Sequence, residues 1–323
     1  MKTFKKLTAV FLLLFTATAM VSCDDDDDNV IVNNETAYDF LVDNDNYSSL
    51  KAAVDAAGLR TTLEGSGTFT IFAPDNDAFE DFLDDNDFQT LADVPTDVLV
   101  KTLLYHVLGT EVRSNQLTNG YVKTSATNST DNNLDLYIDA DELQVNDVDI
   151  DASNVDIEVD NGVIHAIEGV LSVPTVVTLA VANPDFSSLT TALTQEDLVD
   201  AVSASGPFTV FAPSNAAFQN LIDADENDDI ASIEDVLALE NLDQILLFHV
   251  ASGAVRAEDI EDDADVTTLS TGNTFSIDLD TNSPTIVIDS EVAANIIATD
   301  VTANNGVIHV IDGVLIPGEG EED

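Results

Sequence analysis

The sequence predicts an α+β fold made of two tandem copies of one domain, and three features predict it. A phrase running Gly67-Thr68-Phe69-Thr70-Ile71-Phe72-Ala73-Pro74-Asp75-Asn76-Asp77-Ala78-Phe79 returns 139 positions later as Gly206-Pro207-Phe208-Thr209-Val210-Phe211-Ala212-Pro213-Ser214-Asn215-Ala216-Ala217-Phe218. An apolar, helix-patterned stretch ending near His106 returns with its histidine at His249. A closing phrase, Asn161-Gly162-Val163-Ile164-His165-Ala166-Ile167-Glu168-Gly169-Val170-Leu171, returns as Asn305-Gly306-Val307-Ile308-His309-Val310-Ile311-Asp312-Gly313-Val314-Leu315. Self-similarity over a long fixed period marks a duplicated structural unit.

The chain opens on an address. Lys2, Lys5 and Lys6 precede an apolar run from Leu7 to Met20, and Val21-Ser22-Cys23 closes it. That run is shorter than the roughly 20 residues a spanning helix needs, so residues 1–22 read as a signal peptide. The segment resembles a bacterial lipoprotein signal, in which a small residue precedes a cysteine that is acylated. This resemblance implies that Cys23 is the lipidation site and that the protein is an outer-membrane lipoprotein facing the cell exterior. Met20 departs from the pattern, since leucine is usual there. Asp24 to Asp28 follow at once, a block of like charge that extends itself by repulsion, and residues 23–34 read as an acidic tether.

The first unit, residues 35–174, begins with a helical pattern in which Leu50, Val54 and Ala57 share a face and Gly58 stops the helix. In the repeated phrase, Phe69, Ile71 and Ala73 point one way and Thr70 and Phe72 the other, as in a strand. Pro74 ends the ladder and Asp75-Asn76-Asp77 suits a helix start. Loops rich in Asp and Asn are expected at Asp84 to Asp87 and at Asp223 to Asp229. Helices follow at Thr96 to Leu108 and at Leu239 to Val250.

The period then shifts from 3.6 to 2. Strands are expected at Leu134 to Ile138, Val155 to Val159 and Val163 to Val170, and again at Phe275 to Leu279, Thr285 to Ile288 and Val307 to Val314. Asn-Gly between apolar runs signals a hairpin. The second unit covers residues 175–317, after the brief link Val173-Pro174-Thr175, and residues 318–323 form an acidic tail.

Both units resemble fasciclin domains. The residues that carry this are the Gly-x-Phe-Thr-x-Phe-Ala-Pro phrase, the Gly-Val-Ile-His-x-Ile-x-Gly-Val-Leu phrase and the Tyr105-His106 pair between them. The resemblance implies a wedge or sandwich of β-strands with packed helices, in proteins used for adhesion and matrix contact. It also implies Tyr105 and His106 as a candidate adhesion site. The second unit has Phe248-His249 and so lacks the hydroxyl at that position.

Charge narrows the partners. Sixty-two Asp and Glu stand against nine Lys and Arg, for a formal charge of −53. Such a field repels nucleic acid and anionic lipid. The acidity suits a salty surrounding or solubility, and loose Ca2+ binding is open at loops carrying Asp223, Asp225 and Asp228. The best match to a calcium loop, Asp278-x-Asp280-x-Asn282 with Asp289, lacks the turn glycine and flanking helices.

All four histidines sit at repeated positions, His106, His165, His249 and His309. Two per unit without cysteine are too few for a closed zinc site, so each is read as a structural histidine bonded to backbone, with no metal and no cofactor. Hydrolase, metalloprotease and phosphate-loop motifs are absent, and the Ser48-Ser49-Leu50-Lys51 match is not repeated, since threonine takes the lysine's place. The expected function is therefore non-enzymatic: a surface-anchored adhesion or matrix-binding lipoprotein contacting extracellular or cell-surface protein or polysaccharide. The alternative is an envelope structural protein that binds polysaccharide or divalent cations.

Overall fold

The repeated phrase becomes the central strand of each copy. In the computed structural model, which describes residues 35–225, 227, 229–279 and 284–318, the first copy runs through helices α1 (Ala37–Asp43), α2 (Ser48–Ala56) and α3 (Arg60–Leu63). Strand β1 (Phe69–Pro74) and helices α4 (Asn76–Asp85) and α5 (Thr96–Tyr105) come next. Seven strands complete it: β2 (Val107–Leu108), β3 (Gly120–Thr127), β4 (Asn133–Asp139), β5 (Gln144–Val145), β6 (Val148–Asp149), β7 (Ile157–Val159) and β8 (Gly162–Ile167).

The second copy follows the same plan. Helices α6 (Val176–Val181), α7 (Ser187–Gln195) and α8 (Val199–Ser203) lead into β9 (Phe208–Pro213), then α9 (Asn215–Ala224), α10 (Ile233–Leu237) and α11 (Leu242–Phe248). Strands β10 (Val250–Ser252), β11 (Asp265–Thr267), β12 (Thr274–Asp278), β13 (Thr285–Ile288), β14 (Glu291–Thr302) and β15 (Gly306–Ile311) close it. The signal segment, Cys23 with its tether through residue 34, tail residues 319–323, Asp228, Asp280 and Asn282 lie outside the described residues.

Strand β1 pairs antiparallel with β2 and parallel with β8, in the order β2-β1-β8-β7. Such a strand is buried on both faces, and its alternation sorts two cores. Ile71 and Ala73 join Leu50, Val54 and Leu103 under the helices. Phe72 joins Leu134, Leu136 and Ile138 on the other side. In the second copy Ala212 packs with Leu189 and Leu246, whereas Phe211 packs with Phe275, Ile277 and Ile286.

The copies differ in how the outer strands connect. In the first, β3-β4-β5-β6 form a separate sheet; in the second, one sheet runs β10-β9-β15-β14-β13-β12-β11. Strand β14 spans both regions, bending at irregularities near Ala298. The first copy breaks at the corresponding place, where an isolated Ile150–Ile167 bridge joins the two sheets.

Local chemistry sets the boundaries. Gly58, at φ +70°, ends α2 in a left-handed cap whose Leu59 N–H reaches the Val54 carbonyl at 3.0 Å. Asp197 takes the same conformation after α7, with Leu198 N–H on the Leu193 carbonyl at 2.9 Å. Asp75 caps α4 by accepting from Ala78 N–H at 2.9 Å, and Ser214 caps α9.

Several expected bounds move. The helix expected to reach Leu108 stops at Tyr105, because Val107 and Leu108 pair with β1; Val250 likewise joins β10 and leaves α11. Asp84 and Asp223 lie in helices α4 and α9, not in loops. Strands β3 and β14 carry too many Thr, Ser, Ala and Asn for their alternation to be visible in the sequence.

Where the copies meet, polar side chains cross. Tyr121 Oη donates to the Leu179 carbonyl at 2.7 Å, and Lys101 Nζ donates to Asn304 Oδ1 at 2.9 Å. Asp135 accepts from Lys123 Nζ and from Thr302 N–H, while Lys123 also donates to Thr302 Oγ1 at 3.1 Å. Burial raises the Asp135 carboxyl pKa, and the Lys123 and Thr302 bonds oppose that rise.

Candidate functional site

The residues that stood out as candidates gather at the seam between the central sheet and the helix preceding it. Tyr105 ends α5 and is fully buried. Its hydroxyl donates to the Asp135 carbonyl at 2.7 Å and accepts from Asn146 Nδ2 at 2.6 Å. Burial raises its pKa, and the Asn146 bond offsets only part of this. In the second copy Phe248 fills the same place without a hydroxyl, edge-on to Phe275 at 5.6 Å. The deeper core of that copy thus replaces two hydrogen bonds with an aromatic contact.

His106 is 2% exposed and caps α5. Its Nδ1 donates to the Thr102 carbonyl at 2.7 Å, and its Nε2 accepts from Leu171 N–H at 2.9 Å. One nitrogen must donate and the other accept, so the ring is neutral with its proton on Nδ1. His249 repeats this, with Ile245 carbonyl at 2.7 Å and Leu315 N–H at 2.9 Å. Burial holds both imidazoles down to about 4, although each backbone bond pulls the other way. Each ring ties the helix end to the last residue of the closing phrase.

The second histidine pair has the opposite tautomer. His165 Nε2 donates to the Val112 carbonyl at 2.9 Å, while Nδ1 accepts from Asp156 N–H at 3.2 Å. His309 Nε2 donates to the Val255 carbonyl at 2.9 Å, and its ring stacks on Phe211 at 5.5 Å. Its Nδ1 is buried without a hydrogen-bond partner among the described residues, and burial lowers its pKa. Among the described residues no group of three or more His, Cys, Asp or Glu could hold a metal ion.

Three further pairs were not singled out from the sequence, although the repeated phrases contain them. Asn161 Oδ1 accepts from Ala37 N–H at 2.9 Å, and its Nδ2 donates to the Leu63 and Gly65 carbonyls. Asn305 makes the matching bonds to Val176, Val202 and Ala204. Thr70 and Thr209 hold the loop after the histidine, each donating to one backbone carbonyl and accepting from one N–H. Asn76 and Asn215 accept from Ser49 and Ser188 N–H at 2.9 Å. The signal for these was their exact recurrence as polar residues inside apolar phrases.

Gly162 belongs to the same seam. At φ +148°, an added Cβ would lie 2.0 Å from the Phe69 carbonyl oxygen, so β8 can approach β1 only through glycine.

Outside this seam the surface is acidic, and the cations are occupied. Lys51 pairs with Asp55, Arg60 with Glu64, and Arg113 with Glu111 and Glu158. Lys123 pairs with Asp135 and Arg256 with Asp300, while Lys101 bonds Asn304. Every Lys and Arg among the described residues therefore has a partner. No helix among them is long and apolar enough to cross a membrane.

Comparison with known proteins gives these repeats a family. The fasciclin domain family matches residues 45–174 and 184–317. Human periostin is 31% identical over 83% of this chain, although the match covers only 30% of periostin. Protein sll1483 of Synechocystis is 38% identical over 45% of this chain and 75% of its own. The pig transforming growth factor-beta-induced protein ig-h3 is 31% identical over 80% of this chain and 36% of its own. The chain thus spans about a third of the two animal relatives. A solved FAS1 domain pair from the insect cell adhesion molecule fasciclin I covers 86% of this chain and 95% of its own, at 18% identity and a TM-score of 0.46. With two family matches that together cover most of its length, this chain belongs to the fasciclin domain family.

Proposed function

We propose that this protein is a surface-anchored adhesion lipoprotein that binds extracellular or cell-surface protein or polysaccharide through the outer faces of its two fasciclin domains. The observation that carries this reading is the destination of the reactive groups. Tyr105 and His106, the pair implied by family resemblance, are buried and bonded on both sides, as are His165 and His249. Groups so placed brace the fold and leave binding to the surface. Tyr105 and His106 then affect adhesion by holding α5 against the sheet, without touching a partner.

Family membership supports a non-enzymatic adhesion role. Anchoring is assigned to acylation at Cys23, which the lipobox-like Val21-Ser22-Cys23 supports. Many copies on one cell make weak contacts effective by avidity. The test is fractionation and attachment of cells carrying the parent chain, Cys23→Ala or a deletion. Cys23→Ala is expected to leave the outer membrane and to attach as poorly as the deletion. Retention of Cys23→Ala in the outer membrane contradicts the anchor, and a deletion that attaches like the parent contradicts adhesion. Repeating attachment with and without Ca2+ at matched ionic strength separates loose cation bridging from direct contact.

A further inference from the structure

Helix α4 and its counterpart α9 share a scaffold but not a surface. Both are ten residues long, each begins with an asparagine that grips the preceding Ser-Ser helix, and Phe79 and Phe218 are buried alike. Their exposed positions differ. Asp77, Glu80, Asp81, Asp84 and Asp85 of α4 stand where α9 has Ala216, Gln219, Asn220, Asp223 and Ala224.

Beyond Asp77, which the helix dipole favours in the first turn, the acids on α4 work against the helix. Asp77 and Asp81, Glu80 and Asp84, and Asp81 and Asp85 are like charges one turn apart, each pair destabilising by about 0.2–0.5 kcal/mol. Asp84 and Asp85 also lie in the last turn, where the helix dipole is already negative and no basic residue offsets them. In α9 the corresponding Gln219 donates to Asp223 Oδ1 at 2.8 Å. The Lys and Arg of the described residues are bonded elsewhere. A charge pattern that opposes local folding, on a scaffold whose twin omits it, points to a role outside folding.

That role has a place. Beside α4 lies an open groove of about 550 Å³, where exposed Asp77, Glu80 and Asp84 form a rim around half-buried Leu83, Phe88 and Leu91, with Ser48, Ser49 and Gln89 also lining it. We propose that this groove is a docking surface for a basic amphipathic segment of a partner protein. Apolar side chains of the segment cover the floor, and its Lys or Arg side chains meet the rim, as in helix-in-groove recognition. Charge complementarity selects this occupant. A second copy of a chain carrying −53 is repelled. A chelated cation lacks a ligand group, since no cluster that could hold a metal lies among the described residues.

The proposal names a partner class for the binding reading above and rests on it only in requiring a partner. The test uses the chain from Asn29 onward, which retains every described residue. A fluorescein-labelled 14-residue Leu/Lys peptide with helical periodicity is titrated by anisotropy, beside a scrambled peptide of the same composition. Asp77→Ala with Glu80→Gln installs the second copy's own residues on the rim, and this variant is expected to unfold at nearly the parent's temperature, since the repulsion relieved at Asp81 and Asp84 offsets the lost attraction of Asp77 to the helix dipole. It should lose about tenfold in affinity for the amphipathic peptide, or about 1.4 kcal/mol. Leu83→Ser should lose a similar factor with no change in charge. Glu258→Gln with Glu261→Gln, the same charge change on the second copy, should stay within about twofold.

Equal losses for the two acidic pairs, or equal binding of amphipathic and scrambled peptides, would show a bulk field and overturn the proposal. Saturable stoichiometric calcium binding lost with the rim pair would replace the peptide by a cation. A groove variant that no longer binds peptide but still supports cell attachment would sink the groove while leaving adhesion intact.

Discussion

Replacing His106 by glutamine should change how the stability of the first copy depends on pH, and the size of the change follows from the geometry. The ring is neutral in the fold because both nitrogens are committed to backbone, with burial holding its pKa at about 4 against an ordinary 6.5. The folded value lies below the unfolded one, so this contribution is complete above about pH 7. It is lost as the pH falls toward 4, because the unfolded chain takes up a proton that the folded chain refuses. Between pH 7 and pH 5, linkage removes about 2 kcal/mol for this one residue. Glutamine does not titrate. His106→Gln should lower stability by about 2–4 kcal/mol at pH 7 through lost hydrogen bonds, yet flatten the pH dependence by about 2 kcal/mol. Asp135 contributes with opposite sign, since its raised pKa favours the fold as the pH drops, but it is present in both proteins and cancels.

The assay is denaturant unfolding at pH 7, 6 and 5, in guanidinium chloride so that acidic self-repulsion is screened. All five tyrosines lie between Tyr38 and Tyr137, so tyrosine fluorescence reports the first copy and, through Tyr121, its junction with the second. Parallel curves for the parent and His106→Gln would refute the assignment of a buried neutral imidazole.

Two further outcomes follow from the packing. Gly162→Ala places a methyl against the Phe69 carbonyl and should prevent β8 from closing on β1, whereas Gly58→Ala, with nothing within 4 Å, should cost only about 1 kcal/mol for its left-handed backbone; equal thermal midpoints for the two would contradict this. Lys123→Met leaves the buried Asp135 carboxylate with the Thr302 N–H as its hydrogen bond and only the more distant Arg256 charge, and should cost about 2 kcal/mol, most of it recovered when Asp135→Leu is added, as read by thermal unfolding. A double variant as unstable as the single one would show that the junction draws nothing from that pair.

Much of the fold was legible because its main devices are short and repeated. The alternation of Phe69 to Ala73 announced a strand with two buried faces, and the Asn-Gly phrases announced the turns into β8 and β15. Each histidine sits in an apolar phrase, and each ring bonds a backbone carbonyl in the structure. The ends of α5 and α11 did not read correctly. Val107 and Val250 continue the helical period, and only pairing with β1 and β9 draws them into strands. Strand β14 is hidden in the sequence by its small and polar residues and by an irregular register around Ala298 that breaks the two-residue period. The Lys123–Asp135–Thr302 junction was invisible, since it joins residues 167 positions apart that no motif connects. Asp84 and Asp85 belong to an Asp-rich stretch that reads as a loop, and only the structure sets them on α4, one turn from Glu80 and Asp81.

If the four rings are interior braces, long-range nitrogen–proton correlation spectra of the folded chain read this directly. His106 and His249 should appear as neutral rings protonated on Nδ1, and His165 and His309 should carry the proton on Nε2. The His106 and His249 signals should not move from pH 7.5 down to about pH 5. A His106 or His249 ring titrating near 6.5, or any of the four shifting on addition of zinc, would contradict it.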